Sequence, residues 1–290
     1  MRPKFQDYEL HGDQKRAGQV SADLQCAKIR PAAVAGLFYP RDPVRLQTEV
    51  LELLGAVSPP SKVLPKALIA PHAGYVYSGR VAGAAFAKLR PTVQMIKRIV
   101  LIGPAHYVHL VGMAAPTVNA FETPLGQLPV DTETCTQLDR FEFVTKTDAP
   151  HGPEHSLEVE LPFLQTVLSS FQVVPLVVGD AAPQQVAQLL RQLWGGSETL
   201  IIVSSDLSHY HSYETAQLLD LSTAEAIEQG EWASLGSSRA CGWVAVAGLL
   251  IETRRRGLGA YRLALCNSGD TAGSRDRVVG YGAWIFGEAA

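Results

Sequence analysis

The sequence contains no hydrophobic run long enough to cross a membrane. Hydrophobic residues make up 47% of the 290 residues, yet no apolar stretch approaches the roughly 20 residues that a membrane helix requires. The first 30 residues also lack the apolar centre of a signal peptide. We therefore expect a cytoplasmic protein that has no membrane partner.

An excess of charge of one sign is also missing. The chain has 25 Lys and Arg residues against 28 Asp and Glu residues, which gives a formal net charge of -3. Proteins that bind nucleic acid carry a basic patch or a strongly basic domain. This balance gives no reason to expect a nucleic-acid partner.

Cysteine is scarce, and its spacing matches no metal-finger motif. The four cysteines are Cys26, Cys135, Cys241 and Cys266. In the cytosol such cysteines are kept reduced. We therefore expect these cysteines to be reduced.

The chain divides into a short polar extension and one long compact region. Residues 1–28 are polar and follow no clean period, which predicts a loosely ordered N-terminal extension. Residues 29–290 contain no Ser/Gly-rich linker, no charge run and no repeat of fixed period. They are predicted to form a single domain.

Short apolar runs alternate with helical patterns along this domain. Most of the runs lack polar alternation, which is typical of strands covered on both faces. The pattern predicts an α/β domain with a mostly parallel central sheet and helices on both faces. Residues 111–130 contain three prolines and no long helix, and they are predicted to form a hairpin or a surface excursion. The runs interpreted as strands are KALIAP, RIVLIGPA, FQVVPLVVG, TLIIVSSD, AYRLALCN and RVVGYGAWIF.

Three of these strands end in side chains that can bind metal. His72 follows the first strand, His106 follows the second, and Asp206 and His209 follow TLIIVSSD. Ligands of open α/β sheets bind outside the carboxyl ends of the strands. A single histidine at such a place is usually an ordinary loop residue, but three strand ends with the same chemistry predict a common site.

Two residues compete for the role of third, anionic metal ligand. Cys241 stands at the start of a predicted apolar helix, where the helix N-terminus favours the thiolate that binds metal. A buried structural cysteine is an equally good interpretation. Asp206 is the rival ligand, or it orients His209 as an acid/base group beside the metal.

Two further segments are candidates for the walls of a substrate pocket. Glu154 and His155 precede Ser156, which is predicted to cap a helix; alternatively, they only decorate the start of that helix. Ser268 and Asp270 lie in a glycine-rich segment that either lines the pocket or forms a plain turn. This segment has no lysine and no following helix, so it is not a phosphate-binding loop and no nucleotide cofactor is expected.

From about residue 30 to residue 286, the chain resembles the Memo family, also called protein B of the AmmeMemoRadiSam system. The stretches that carry the resemblance are RPAAVAGLFYP, IAPHAGYVYSG, LIGPAHY, PEHSLEVELPFLQ, VVPLVVGD, VSSDLSHY, ACGW and NSGDTAG with VVGYGAW.

The resemblance implies a fold related to class III extradiol dioxygenases. It also implies one iron or copper ion per chain, held by His72, His106 and Cys241. In the dioxygenases a carboxylate stands where this family has the cysteine, so catechol cleavage is not the expected reaction. His209 would take the place of their acid/base group, with Asp206 beside it. Protein partners from the AmmeMemoRadiSam system are a further expectation.

Three functions are compatible with these residues. The first is a metal-dependent oxidoreductase of unknown substrate, which the soft thiolate of Cys241 favours because thiolates suit copper(I) or iron. The second is a non-catalytic scaffold that binds a metal, a peptide or a small molecule in the same pocket. The third is metal-dependent hydrolysis, with His209 or Glu154 as the base.

Overall fold

The computed structural model describes residues 28–55 and 63–288. The predicted extension, apart from Lys28, lies outside the described residues, so its separation from the domain stays a prediction. Each apolar run named above forms a strand. The strands are β1 (Ile29–Arg30), β2 (Ala67–Ala70), β3 (Arg98–Pro104), β4 (Met113–Ala115), β5 (Ala120–Thr123), β6 (Gly126–Pro129), β7 (Val144–Lys146), β8 (Gln172–Val178), β9 (Thr199–Ser204), β10 (His209–His211), β11 (Gly259–Asn267) and β12 (Val278–Gly287).

The main sheet confirms the predicted α/β class, with a parallel centre and antiparallel margins. Its order is β10-β12-β2-β9-β3-β8-β4-β7, and β11 pairs with β12. Strands β2, β9, β3 and β8 are parallel to their neighbours in this group. β12 runs antiparallel to β2, and β4 runs antiparallel to β8. Because the four central strands run the same way, the chain segments that leave β2, β3 and β9 start from one edge of the sheet.

A second, smaller sheet contains the region that is rich in proline. β5 and β6 form an antiparallel hairpin, which confirms the predicted hairpin within residues 111–130. β1 pairs in parallel with β5, so that Ile29 lies beside Ala120. This sheet attaches the first described residues to the domain.

Helices flank the main sheet. They are α1 (Pro43–Leu54), α2 (Tyr75–Phe86), α3 (Thr132–Gln137), α4 (Leu161–Val167), α5 (Pro183–Leu193), α6 (Tyr213–Gln229) and α7 (Trp243–Arg255). α7 packs on α5 and on the central strands β3 and β9, whereas α2 and α6 pack on β11 and β12. No helix among the described residues is long and apolar enough to span a bilayer.

The predicted helix cap at Ser156 is wrong. Residues 158–160 form a short 3₁₀ turn, and α4 begins only at Leu161, with a proline in its first turn. The Ser156 hydroxyl donates to the Pro104 carbonyl oxygen at 2.9 Å instead of capping a helix. The physical reason is burial: Glu158 and Glu160 are both fully buried, and their contacts with other segments hold this stretch of chain.

Candidate metal centre

Three histidines from separate segments meet at the carboxyl edge of the sheet. His72 follows β2, His106 follows β3, and His155 lies in the segment before α4. One ring nitrogen from each lies within 4.8 Å of the others. The ring centroids are 5.2 Å apart for His72 and His106 and 4.6 Å apart for His106 and His155. His72 is buried, His155 is half-buried and His106 is exposed, so the cluster is open to solvent at His106.

Glu154 positions His106 through contacts with its ring Nδ1 and its backbone N–H. Its Oε1 lies 2.8 Å from His106 Nδ1, and its Oε2 accepts the His106 backbone N–H at 2.6 Å. The backbone N–H groups of His155 and Ser156 also donate to Oε1. Burial alone would raise the pKa of Glu154, but the hydrogen bonds from His106 and the backbone lower it to about 2. With its Nδ1–H held by this carboxylate, His106 keeps the Nε2 lone pair for a metal ion.

His72 is held by a different set of partners. Its backbone N–H donates to Asp206 Oδ1 at 2.8 Å, and its Nδ1 lies 2.7 Å from Ser204 Oγ. Ser204 Oγ in turn lies 2.6 Å from the Ser156 carbonyl oxygen and 2.9 Å from Glu160 Oε1. Burial, followed by the charge of His106, brings the pKa of His72 well below its usual value. The imidazole is therefore neutral at neutral pH, which is the form that binds metal.

Cys241 lies beside His72, just before α7. Its Sγ is 3.4 Å from His72 Nε2 and accepts the Asp206 backbone N–H at 3.3 Å. Burial, followed by the charge of Asp206, raises the pKa of the thiol to about 12. Burial thus outweighs the helix terminus that was expected to favour the thiolate. A metal ion would have to displace the thiol proton when it binds.

Asp206 and His209 lie next to this cluster rather than within it. Burial raises the pKa of Asp206, and the charge of His209 opposes that shift. His209 Nδ1–H donates to the Leu207 carbonyl oxygen at 2.8 Å, which leaves Nε2 as a proton acceptor. The next residue, Tyr210, has a φ of 63°, a backbone conformation that non-glycine residues adopt at tight turns.

His155 fits the role of a metal-binding residue better than that of a helix decoration. Its Nδ1 is buried and makes no hydrogen bond. The Phe38 ring packs against the imidazole with centroids 4.7 Å apart. Burial, followed by the charges of His72 and His106, lowers the pKa of His155 to about 4. Glu154 Oε1 lies 3.4 Å from this nitrogen, and an imidazole placed beside two others is suited to a divalent or monovalent transition-metal ion.

The other two predicted pocket residues, Ser268 and Asp270, form hydrogen bonds around the glycine-rich segment. Ser268 Oγ accepts the Val279 backbone N–H at 3.1 Å. Asp270 accepts the Asn267 backbone N–H and the Tyr213 hydroxyl. Asp270 also lines a surface cavity of about 760 Å³ together with Arg45 and Tyr77. These contacts are with Tyr213, Asn267 and Val279, so the role of Ser268 and Asp270 as substrate contacts stays a prediction.

Ser204 and Glu160 are the site residues that sequence reasoning missed. Each carried a usable signal. Ser204 is the last residue of β9, two positions before Asp206, and Glu160 is a charged residue in the apolar stretch VELPFL. Because charged residues are fully buried only when they are paired or neutral, a glutamate at such a position points to a special environment.

Comparisons with known proteins identify the family and support the fold. The family model described as "Memo-like protein" matches residues 30–285. A "MEMO1 family protein" of Aquifex aeolicus is 34% identical over 277 residues, which cover 89% of this chain and 99% of the relative. One from Saccharolobus solfataricus is 32% identical over 287 residues, with the same coverage. The crystal structure of an uncharacterized protein, JW3007 from Escherichia coli K12, has a TM-score of 0.50 at 12% identity. It covers 76% of this chain and 98% of its own, and it supports the fold alone.

Proposed function

The chain belongs to the Memo family, and from that premise we propose that it binds one iron or copper ion for redox chemistry on a small molecule. The observation that carries the proposal is the convergence of the imidazoles of His72, His106 and His155, with one ring nitrogen of each within 4.8 Å of the others. The Cys241 sulfur lies against one of them at 3.4 Å. His72, His106 and Cys241 would hold the ion, and His155 is a further donor within reach. Such an ion supplies one-electron chemistry when it is bound.

The residues around the donors have roles that do not depend on the metal. Glu154 orients His106 by accepting a hydrogen bond from its Nδ1. His209, whose Nδ1–H is tied to a backbone carbonyl, would accept a substrate proton at Nε2. Asp206 fixes the backbone of His72. The exposed side of His106 gives a substrate access to the cluster.

A peptide-binding scaffold is the second candidate function. The surface cavity beside Asp270 is lined by the exposed side chains of Val44, Val76 and Tyr77 and by charged residues such as Glu49 and Arg80. Apolar side chains around a cavity are typical of a surface that binds a partner. Protein partners from the AmmeMemoRadiSam system would use such a surface. Binding of a peptide without any redox turnover of the metal-loaded protein would favour this second function.

Metal titration of cysteine variants tests the first proposal. Cys241→Ser replaces the thiolate by a poorly coordinating hydroxyl, so we expect copper(I) binding to weaken by at least about tenfold. Cys266→Ser is the matched control, because Cys266 lies on β11 and is half-buried; it should retain wild-type affinity. Cys241→Asp should shift the preference toward iron(II) by restoring a two-histidine, one-carboxylate set.

The measurement is a competitive titration with copper(I) and iron(II) under anaerobic conditions. Equal copper(I) affinity for the wild type and Cys241→Ser would remove the sulfur from the ligand set. In that case the three histidines would be the remaining donors, and His155→Ala should then abolish binding. Failure of the wild-type chain to bind either ion would overturn the proposed function.

A further inference from the structure

The hydroxyl of Ser204 has three close polar partners but only one proton to give. It lies 2.7 Å from His72 Nδ1, 2.6 Å from the Ser156 carbonyl oxygen and 2.9 Å from Glu160 Oε1. A serine hydroxyl donates one hydrogen bond and accepts up to two. The Ser156 carbonyl can only accept, so it takes the single proton of Ser204. Both other partners must then donate.

An ionised Glu160 does not satisfy this arrangement. A carboxylate can only accept, so it would compete with the Ser156 carbonyl for the same proton. One of the two oxygen–oxygen contacts would then have no hydrogen between the two oxygen atoms, although Ser204 and Glu160 are both fully buried. The arrangement is fully satisfied when His72 carries its proton on Nδ1 and Glu160 carries one on Oε1.

The other oxygen of Glu160 supports the same assignment. Oε2 is buried and has no hydrogen-bond partner among the described residues, and the whole residue is fully buried. A charged oxygen without a donor is very costly in such a place, whereas the carbonyl oxygen of a neutral acid costs much less. Burial raises the pKa of Glu160 well above its usual value; the contact with Ser204 opposes this shift, and the charge of Asp206 acts with it.

We propose that Glu160 is a neutral carboxylic acid at neutral pH that donates to Ser204 Oγ and thereby holds His72 in its Nδ1–H form. This makes Glu160 a positioning residue. The Nδ1–H form leaves the Nε2 lone pair directed at the Cys241 sulfur. The proton positions stand without a metal ion, and only their use in presenting a metal ligand rests on the proposed function.

The two histidine ligands are thus supported in different ways. His106 donates to an ionised carboxylate, Glu154. His72 donates to the Ser204 hydroxyl, which in turn accepts a hydrogen bond from the neutral acid Glu160. A carboxylate partner raises the basicity of a ligating histidine. Because Glu160 is neutral, it adds no second negative charge beside Asp206 on the buried side of the cluster.

Infrared and NMR spectroscopy of the metal-free protein test the proton positions. We expect the carbonyl band of a protonated carboxylic acid at neutral pH in the wild type. This band should disappear in Glu160→Gln and persist in Glu154→Gln. Nitrogen-15 NMR of labelled histidine should show the Nδ1–H form of His72 in the wild type and in Glu160→Gln, because the glutamine amide can still donate to Ser204. A band unchanged in Glu160→Gln, or an Nε2–H form of His72 in the wild type, would overturn the proposal.

Metal binding gives a second readout. Ser204→Ala should weaken metal affinity by about 10- to 100-fold, the usual effect of removing the partner of a ligating histidine, and Glu160→Gln, whose amide can still donate to Ser204, should weaken it less. A loss of affinity in Glu160→Gln as large as that in Ser204→Ala would contradict the assignment of a donor at position 160. If the wild type bound no metal, the proposed function would fail, while the spectra would still decide the protonation of Glu160.

Discussion

At the scale of single residues, the described chain keeps several titratable groups neutral by burial. His151 is an example outside the metal cluster. Its Nε2–H donates to the Ala114 carbonyl oxygen at 3.1 Å, while Nδ1 is buried without a hydrogen-bond partner. A second proton on Nδ1 would therefore create an unsolvated charge. Burial lowers the pKa of His151 to about 4.

This burial predicts a loss of stability in acid. The folded pKa of about 4 lies below the unfolded value of about 6.5. The folded state therefore binds fewer protons, and the stabilisation is complete above about pH 6.5 and is lost as the pH falls toward about 4. We expect the free energy of unfolding of the wild type to fall by about 3 kcal/mol more than that of His151→Gln between about pH 7 and pH 4.

Urea unfolding across this pH range measures the difference. His109→Gln is the matched control, because His109 is exposed and should follow the wild-type profile. Parallel profiles for the wild type and His151→Gln would show that the neutral imidazole at 151 makes no contribution to acid sensitivity.

At the scale of elements, the crossing of α1 and α2 depends on a glycine. A Cβ atom at Gly83 would lie 2.2 Å from the Leu53 carbonyl oxygen, which is backbone at the end of α1. One turn earlier on α2, a Cβ at Gly79 would lie 2.7 Å from Leu53 Cδ1, the end of a flexible side chain. α2 starts three residues after His72, so the position of this helix also bears on the metal cluster.

The two glycines provide a matched pair of substitutions. Replacing a helical glycine by alanine gains roughly 0.5–1 kcal/mol in helix propensity. At Gly83 the clash with backbone should outweigh that gain, and we expect Gly83→Ala to be destabilised by about 1–3 kcal/mol. At Gly79 the leucine side chain can move aside, so Gly79→Ala should change stability by less than about 1 kcal/mol. Chemical denaturation of both variants checks this, and equal stabilities would contradict the backbone contact.

At the scale of the whole molecule, a buried ion pair ties the start of the domain to the site. Arg30, in β1, pairs with Glu158, and both side chains are buried. The same guanidinium donates to the backbone carbonyl oxygens of His151 and Glu154. Glu158 also accepts the hydroxyl of Tyr39 at 2.5 Å. The first described residues therefore hold the segment that carries Glu154 and His155.

Two truncations distinguish the contribution of the predicted extension to stability from that of the Arg30 ion pair. Removal of residues 1–27 leaves the Lys28 backbone N–H, which donates to Asn119, and should change neither the melting temperature nor metal affinity. Removal of residues 1–30 also removes Arg30 and leaves Glu158 buried without its cation, at a cost of about 3–5 kcal/mol. Calorimetry compares the two. A large drop in melting temperature for the shorter truncation would show that the extension packs on the domain.

The sequence by itself determined the main strands and the positions of two site residues, His72 and His106. Uninterrupted apolar runs predict buried strands because a covered strand has no polar face. That rule located the four parallel central strands, and the strand-end rule placed His72 and His106 together. Both rules depend on residues that are close in sequence. They did not show that β12 would enter the sheet antiparallel to β2, because pairing between distant strands leaves no local period.

Only the tertiary structure decided which groups share the buried side of the site. It brought His155 to the other histidines, started α4 five residues after Ser156, and set Glu160 behind Ser204. It also raised the pKa of Cys241, where the sequence left a metal-binding thiolate and a buried structural cysteine equally open. The physical reason is common to these cases. The protonation and partners of a polar group depend on how much water the whole fold removes from it, and that desolvation is a property of packing between distant segments.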